Sequence, residues 1–200
     1  MSIDEVALRQ MLDKEAIRDV LVKYTRGMDR CDDAVMAQAY HDDACEDHID
    51  YVGSASEFIK CSRLGHQAYF KSHNHYVTNQ SIEIDDDVAH VESYFLAALR
   101  SKAGPAQMVG GRYVDRMQRR SGRWGIVKRV CIVEWQGQLN VSSSTFQEED
   151  IFLRGERSCD DISYLRPLDI TRLQRVPSWY VCAESDDLLI KVASKGSDNG

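Results

Sequence analysis

Asp29 stands where a free carboxylate is costly. It continues the stripe Ile17, Leu21, Thr25 along a segment of helical apolar spacing, so its side chain points to the buried side and needs a donor or a counter-charge there. An imidazole would meet that need. A carboxylate accepting from one ring nitrogen fixes the tautomer and raises the basicity, leaving the other nitrogen free to take a proton from a substrate. A second charge sits in apolar company further along: Arg129 shares its strand phase with Val127, Cys131, Val133 and Trp135, a setting in which Arg pairs with a carboxylate or an anionic ligand group. Elimination also requires a donor near the departing group or the oxygen that becomes enolate-like, and Tyr24, Tyr51, Tyr94 and Arg129 have the chemistry for it.

Each of these residues has a structural alternative. Asp29, with Arg30 and Asp32, also reads as a helix terminator, and His75, in His73-Asn74-His75, as a hydrogen-bonded core or rim residue. Arg129 also reads as the ion-pair partner of Glu134 or Asp115. The run His41, Asp42, Asp43, Cys45, Asp47, His48 is metal-competent by residue type but has no helical His-x-x-x-His and no Cys-x-x-Cys. It reads as a solvated turn entering a strand, and no metal is expected. Gly110-Gly111 lacks the third glycine and the strand-to-helix context of a phosphate loop, so it reads as backbone packing in a curved strand.

The elements that must position these residues follow from periodicity. From Asp13 as N-cap, Ile17, Val20, Leu21, Tyr24 and Met28 predict an amphipathic helix, and a shorter one runs from Asp32 through Val35, Met36 and Tyr40 until His41-Asp42-Asp43 turns the chain. A strand follows over Cys45 to Ile49. Ser54 or Ser56 caps a third helix carrying Phe58, Ile59 and Leu64. Long extended runs come next: His73 to Ile84, turned by Asp85-Asp86-Asp87 into Val88 to Arg100, then Gln107 to Arg119, turned at Ser121-Gly122 into Trp124 to Trp135. Helices first and antiparallel strands later make an α+β fold, and strands apolar on both faces suit a curved sheet around a pocket.

Two hundred residues with 43% hydrophobic content support one core. We read residues 1–138 as the domain and 139–200 as a C-terminal extension, a lid or a subunit-exchange arm. Phe146, Phe152, Tyr164, Trp179 and Tyr180 are its scattered large residues, and Ser194 to Gly200 reads as disordered. The net charge of -7 and the absence of a basic run argue against nucleic acid. No apolar stretch is long enough for a signal peptide or a membrane span, which predicts a cytoplasmic protein, and six dispersed cysteines suit reduced thiols.

Several strings resemble the SnoaL-like, nuclear transport factor 2-like family, which includes scytalone dehydratase and hexachlorocyclohexane dehydrochlorinase. They are Ala16-Ile17 through Tyr24 to Met28-Asp29-Arg30, His41-Asp42-Asp43-Ala44, His75-Tyr76-Val77-Thr78-Asn79, Gly110-Gly111-Arg112-Tyr113 and Arg119-Arg120-Ser121-Gly122-Arg123-Trp124. The resemblance spans Asp13 to Trp135. It implies a cone of curved antiparallel sheet with three N-terminal helices, assembled as a homotrimer or homodimer, and no cofactor. It puts the acting Asp at Asp29, the His at His75 and a last-strand Arg at Arg129. Tyr24 departs from the pattern, because dehydrochlorinases carry a Lys there whose charge a phenol cannot supply. The implied activity is a lyase, by dehydration or loss of a small fragment, or an isomerase acting on a small hydrophobic cyclic or aromatic substrate through an Asp–His base. The alternative is a non-catalytic ligand-binding or structural oligomerisation subunit like the small subunit of ring-hydroxylating dioxygenases, since this fold hosts both.

Overall fold

The computed structural model describes residues 4–139, 155–170 and 172. Phe146, Phe152, Trp179, Tyr180 and Ser194–Gly200 lie outside them. The chain divides into two compact units, Met1–Tyr164 and Leu165–Gly200; the fold and the site belong to the first.

Helix α1 (Glu5–Arg30) starts at Asp4, whose carboxylate accepts from the Val6 and Ala7 N–H groups, two turns before the expected cap at Asp13. The apolar stripe misleads here because the first two turns overhang the core, leaving Val6, Met11 and Leu12 exposed. Asp13 is instead a buried member of the stripe. Gly27 admits the close crossing of helix α2 (Asp33–Ala37), since a Cβ there would fall on the Met36 backbone. Strand β1 (Tyr40–His48) begins earlier than its polar residues suggest: His41 is buried, with Nε2 2.9 Å from the Gln118 carbonyl, and does not turn the chain. Strand β2 (Tyr51–Ser54) leads into α3 (Ala55–Tyr69), capped by Ser54 as expected.

Four long strands follow, β3 (Phe70–Asp85), β4 (Val88–Ser101), β5 (Ala106–Arg120) and β6 (Arg123–Leu139). Ser121 and Gly122 both take positive φ, the primed turn that matches the twist of a hairpin. The strand order is β2-β1-β6-β5-β4-β3, in a curved, unclosed sheet whose inner face carries the helices. The α+β expectation of three N-terminal helices on a curved sheet holds, but the sheet is mixed: β1 and β6 pair in parallel, because α3 carries the chain to the far edge and three hairpins return it beside β1.

Along β4, Val91, Ser93, Phe95 and Ala97 are buried on the inner face, while Tyr94 is 43% exposed on the other. Bulges shift β6. Two residues on β6 oppose one step on β5 at Gly110/Gly111, so Glu134 is extra and Trp135 crosses to the outer face, over Gly110. Trp135 therefore does not share the face of Arg129, contrary to the simple alternation read from the sequence.

Candidate functional site

Asp29 occupies the last turn of α1, and His75 faces inward from β3, opposite Ala97. Their side chains meet with Asp29 Oδ1 2.7 Å from His75 Nδ1, and the same carboxylate accepts from the His75 backbone N–H at 2.9 and 3.2 Å. The backbone N–H fixes the carboxylate, and the carboxylate in turn fixes the ring. With Nδ1–H donating, Nε2 is left for other work. Both side chains keep some accessible surface, 8% for His75 and 14% for Asp29.

Two residues earlier on β3, His73 sets its Nε2 2.9 Å from the Met28 carbonyl, so alternate histidines stitch β3 to the end of α1. His66, from α3, lies parallel to the His75 ring at 5.7 Å and edge-on to His73 at 4.4 Å. Burial pushes the His66 pKa down to about 3, with His73, His75 and His48 adding repulsion, and burial lowers His73 as well. These two rings are neutral at neutral pH.

Deeper in the same inner face, Arg129 donates from Nε and Nη2 to both oxygens of Asp115, at 2.6 and 2.7 Å, with neither side chain exposed. Its guanidinium lies 4.0 Å from the Tyr24 ring centroid and 4.5 Å from that of Tyr113. Burial opposes the charge, but the Asp115 carboxylate outweighs it and holds the Arg129 pKa above its usual value. Glu46, Arg129 and Asp115 are partners in one row across β1, β6 and β5. Glu46 also takes the Tyr40 hydroxyl at 2.8 Å and lies 3.0 Å from His48 Nδ1.

Asp29 and His75 thus come together, while Arg129 and Tyr24 form a separate cluster in which Arg129 is committed to Asp115, one of its two anticipated partners. Tyr51 donates its hydroxyl to the Ser54 carbonyl at 2.8 Å and packs on Phe58, and Tyr94 faces away from the dyad. The Glu46–His48 pair and the bracket formed by His66 escaped the sequence reading. Glu-x-His in a strand was the available signal, because period-two spacing puts both side chains on one face. Among the described residues no group of three His, Cys, Asp or Glu side chains is arranged to hold a metal ion, and the five cysteines among them are unpaired. One cavity of about 250 Å³ lies among Asp33, Tyr40, His41, Ala55 and Ile59, and another of about 260 Å³ beside Gln107, Gln136 and Gln138. Neither is lined by Asp29 or His75.

Residues 155–164 of the C-terminal extension pack against the helix ends around the dyad. Arg30, next to Asp29, reaches Asp161 at 2.9 Å and the Glu156 carbonyl at 3.0 Å; Arg157 donates to the His66 carbonyl at 3.0 Å; the Tyr164 hydroxyl donates to Asp32 at 2.7 Å.

A family model described as a SnoaL-like domain matches residues 9–130, more than half of the chain. The chain belongs to the SnoaL-like domain family. Three solved structures illustrate what this SnoaL-like chain is similar to. A candidate scytalone dehydratase from Novosphingobium aromaticivorans is 19% identical with a TM-score of 0.60, covering 66% of this chain and 91% of its own. A hexachlorocyclohexane dehydrochlorinase of type 3 from Novosphingobium barchaimii is 18% identical with a TM-score of 0.62, covering 68% and 96%. A candidate aromatic ring hydroxylase from Novosphingobium aromaticivorans is 22% identical with a TM-score of 0.59, covering 64% and 94%. At these identities the likeness concerns the fold. No curated protein sequence matches the chain. Among the described residues no helix is long and apolar enough to cross a membrane.

Proposed function

We propose that the protein is a cofactor-independent lyase or isomerase in which His75, oriented by Asp29, removes a proton from a small hydrophobic cyclic or aromatic substrate. The observation that carries this reading is the 2.7 Å contact between Asp29 Oδ1 and His75 Nδ1, which holds the ring with its second nitrogen uncommitted. Dehydration is its most direct form; loss of a small carbon fragment from an aryl alcohol or a double-bond shift would use the same base. The names of two neighbours, a candidate scytalone dehydratase and a hexachlorocyclohexane dehydrochlorinase, support elimination. Arg129 serves through its field and through the placement of Tyr24, since its Nε and Nη2 are turned to Asp115 and only Nη1 is left without a hydrogen-bond partner. Tyr51, half-buried against Phe58, and Tyr94, facing outward, complete the substrate-contact candidates. The reading includes a cytoplasmic homo-oligomer with a place in aromatic-compound catabolism.

A second reading, a ligand-binding or structural subunit without chemistry, draws support from the side chains filling the deep inner face around Arg129 and from the two cavities that lie away from the dyad. A thermal-shift and mass-spectrometric screen against hydroxylated, chlorinated and lignin-type aromatic compounds separates the two. The lyase reading expects a compound that stabilises the protein and loses water or a small fragment, with kcat lowered about 100-fold or more by His75→Ala and by Asp29→Asn. Binding with no change of mass, or turnover indifferent to both substitutions, favours the second.

A further inference from the structure

Glu46 and His48 stand two residues apart on β1 and turn to the same inner face. Glu46 is 1% exposed and has both carboxylate oxygens engaged, one by the Tyr40 hydroxyl and the other by His48 Nδ1. The His48 ring stacks on Phe58 at 4.8 Å and leans on Tyr113 at 6.1 Å. Its side chain stays 16% exposed, and Nε2 meets no partner among the described residues. This repeats the build of Asp29 and His75, a carboxylate on Nδ1 with Nε2 open. One helix serves both rings, because α3 lays Phe58 on His48 and, two turns later, His66 on His75.

Charge separates the two pairs. The row Glu46, Arg129, Asp115 buries two acidic side chains around one guanidinium, and Glu46 turns one of its oxygens to His48. His75 has two neutral imidazoles beside it, and Asp29 is partly satisfied by the His75 backbone N–H. We infer that His48, held by Glu46, is the general acid of the site, donating a proton from Nε2 to the oxygen that leaves; this rests on the reading of His75 as the base. In the step, His75 Nε2 takes a proton from carbon and the C–H electron pair becomes the new C=C bond. The C–O pair departs with oxygen, which takes the His48 proton and leaves as water. Proton transfer through solvent from His75 to His48 restores both rings.

The titratable groups about His48 are Glu46 on β1, its strand partner Cys131 on β6, Tyr113 on β5 and His66 on α3, while Tyr40, Arg129 and Asp115 are joined to it through Glu46 and its row. Nitrogen-15 NMR of the histidine rings in the full chain reads the outcome without a substrate. A hydrogen-bonded Nδ1–H at His48 whose proton resonance moves upfield in Glu46→Gln is expected, and an Nδ1 without a hydrogen bond in the unsubstituted protein overturns the inference. With an alcohol substrate from the screen, His48→Asn should lower kcat about 100-fold or more and erase the alkaline limb of its pH profile, while Glu46→Gln moves that limb to lower pH. A wild-type rate in His48→Asn with His75→Ala inactive overturns this inference alone; wild-type rates in both overturn the parent reading as well.

Discussion

Asp115 and Arg129 carry opposite charges into a space where water reaches neither, so each is tolerable only through the other. Asp115→Ala leaves the guanidinium unpaired over two tyrosine rings and should cost about 3–5 kcal/mol in urea unfolding. The double replacement Asp115→Leu with Arg129→Met removes both charges and should restore most of that loss; equal instability of the single and double variants would show that packing, and not the stranded charge, sets the cost. This pairing was legible beforehand, because Arg129 falls among apolar neighbours and Asp115 was one of two carboxylates named for it. Asp29 and His75 were legible too, one from its helix stripe and the other from family resemblance. Glu46 and His48 were not. The expected strand over Cys45 to Ile49 holds both, but the apolar Cys45 and Ile49 stand in the opposite phase and mark that face as the inner one, whereas Glu46 is the buried residue.

Among the elements, those with strong periodicity emerged close to their observed bounds, and the failures have physical causes. The start of α1 was misplaced because an overhanging turn needs no apolar stripe, and the parallel β1–β6 pair is a matter of tertiary order that no local signal carries. The bulge at Glu134 changed the face of Trp135 by inserting one residue into a period of two. Residues 155–164 had no periodicity to read, yet they are held by charge. Asp161 accepts from the Glu156 and Ser163 backbone N–H groups and pairs with Arg30, and the contacts to Ser163, followed by those to Glu156 and Arg30, hold its carboxyl well below the usual range. A lowered folded pKa means that this tie is fully present above the unfolded carboxyl value, about 3.9, and is lost as pH falls through the folded one. Hydrogen exchange corrected for intrinsic rates should therefore find residues 155–164 protected at pH 5 to 7 and opening only well below pH 4. Asp161→Asn should expose them throughout, and equal protection in variant and parent would remove Asp161 as the anchor.

At the scale of the whole first unit, α1 has to be fixed against a sheet whose strands arrive a hundred residues later, and one carboxylate does much of this. Asp13 accepts from the Trp124 indole N–H at 2.9 Å and from Arg119 at 2.9 and 3.0 Å, joining the middle of α1 to both sides of the β5–β6 turn. Arg119 continues to Asp87 at 2.7 Å, so the β3–β4 turn joins the same knot. Burial raises the Asp13 pKa, but the Trp124 hydrogen bond and the Arg119 charge outweigh it, and the carboxyl titrates below its usual range. Asp13→Asn keeps the shape and can still accept from Trp124, but it leaves Arg119 without its charged partner on α1. We expect a loss of about 1–3 kcal/mol at pH 7, the range for hydrogen bonds to charged groups. The sign with pH follows from the lowered value: the contribution is whole above about pH 3.9 and fades as pH falls through the folded pKa. Urea unfolding of both proteins from pH 7 down to pH 3 should show a gap that is constant near neutrality and narrows only at the acid end. A gap that stayed constant to pH 3 would mean that the aspartate acts through its shape and its bond to Trp124, and that its charge does not hold the helix to the sheet.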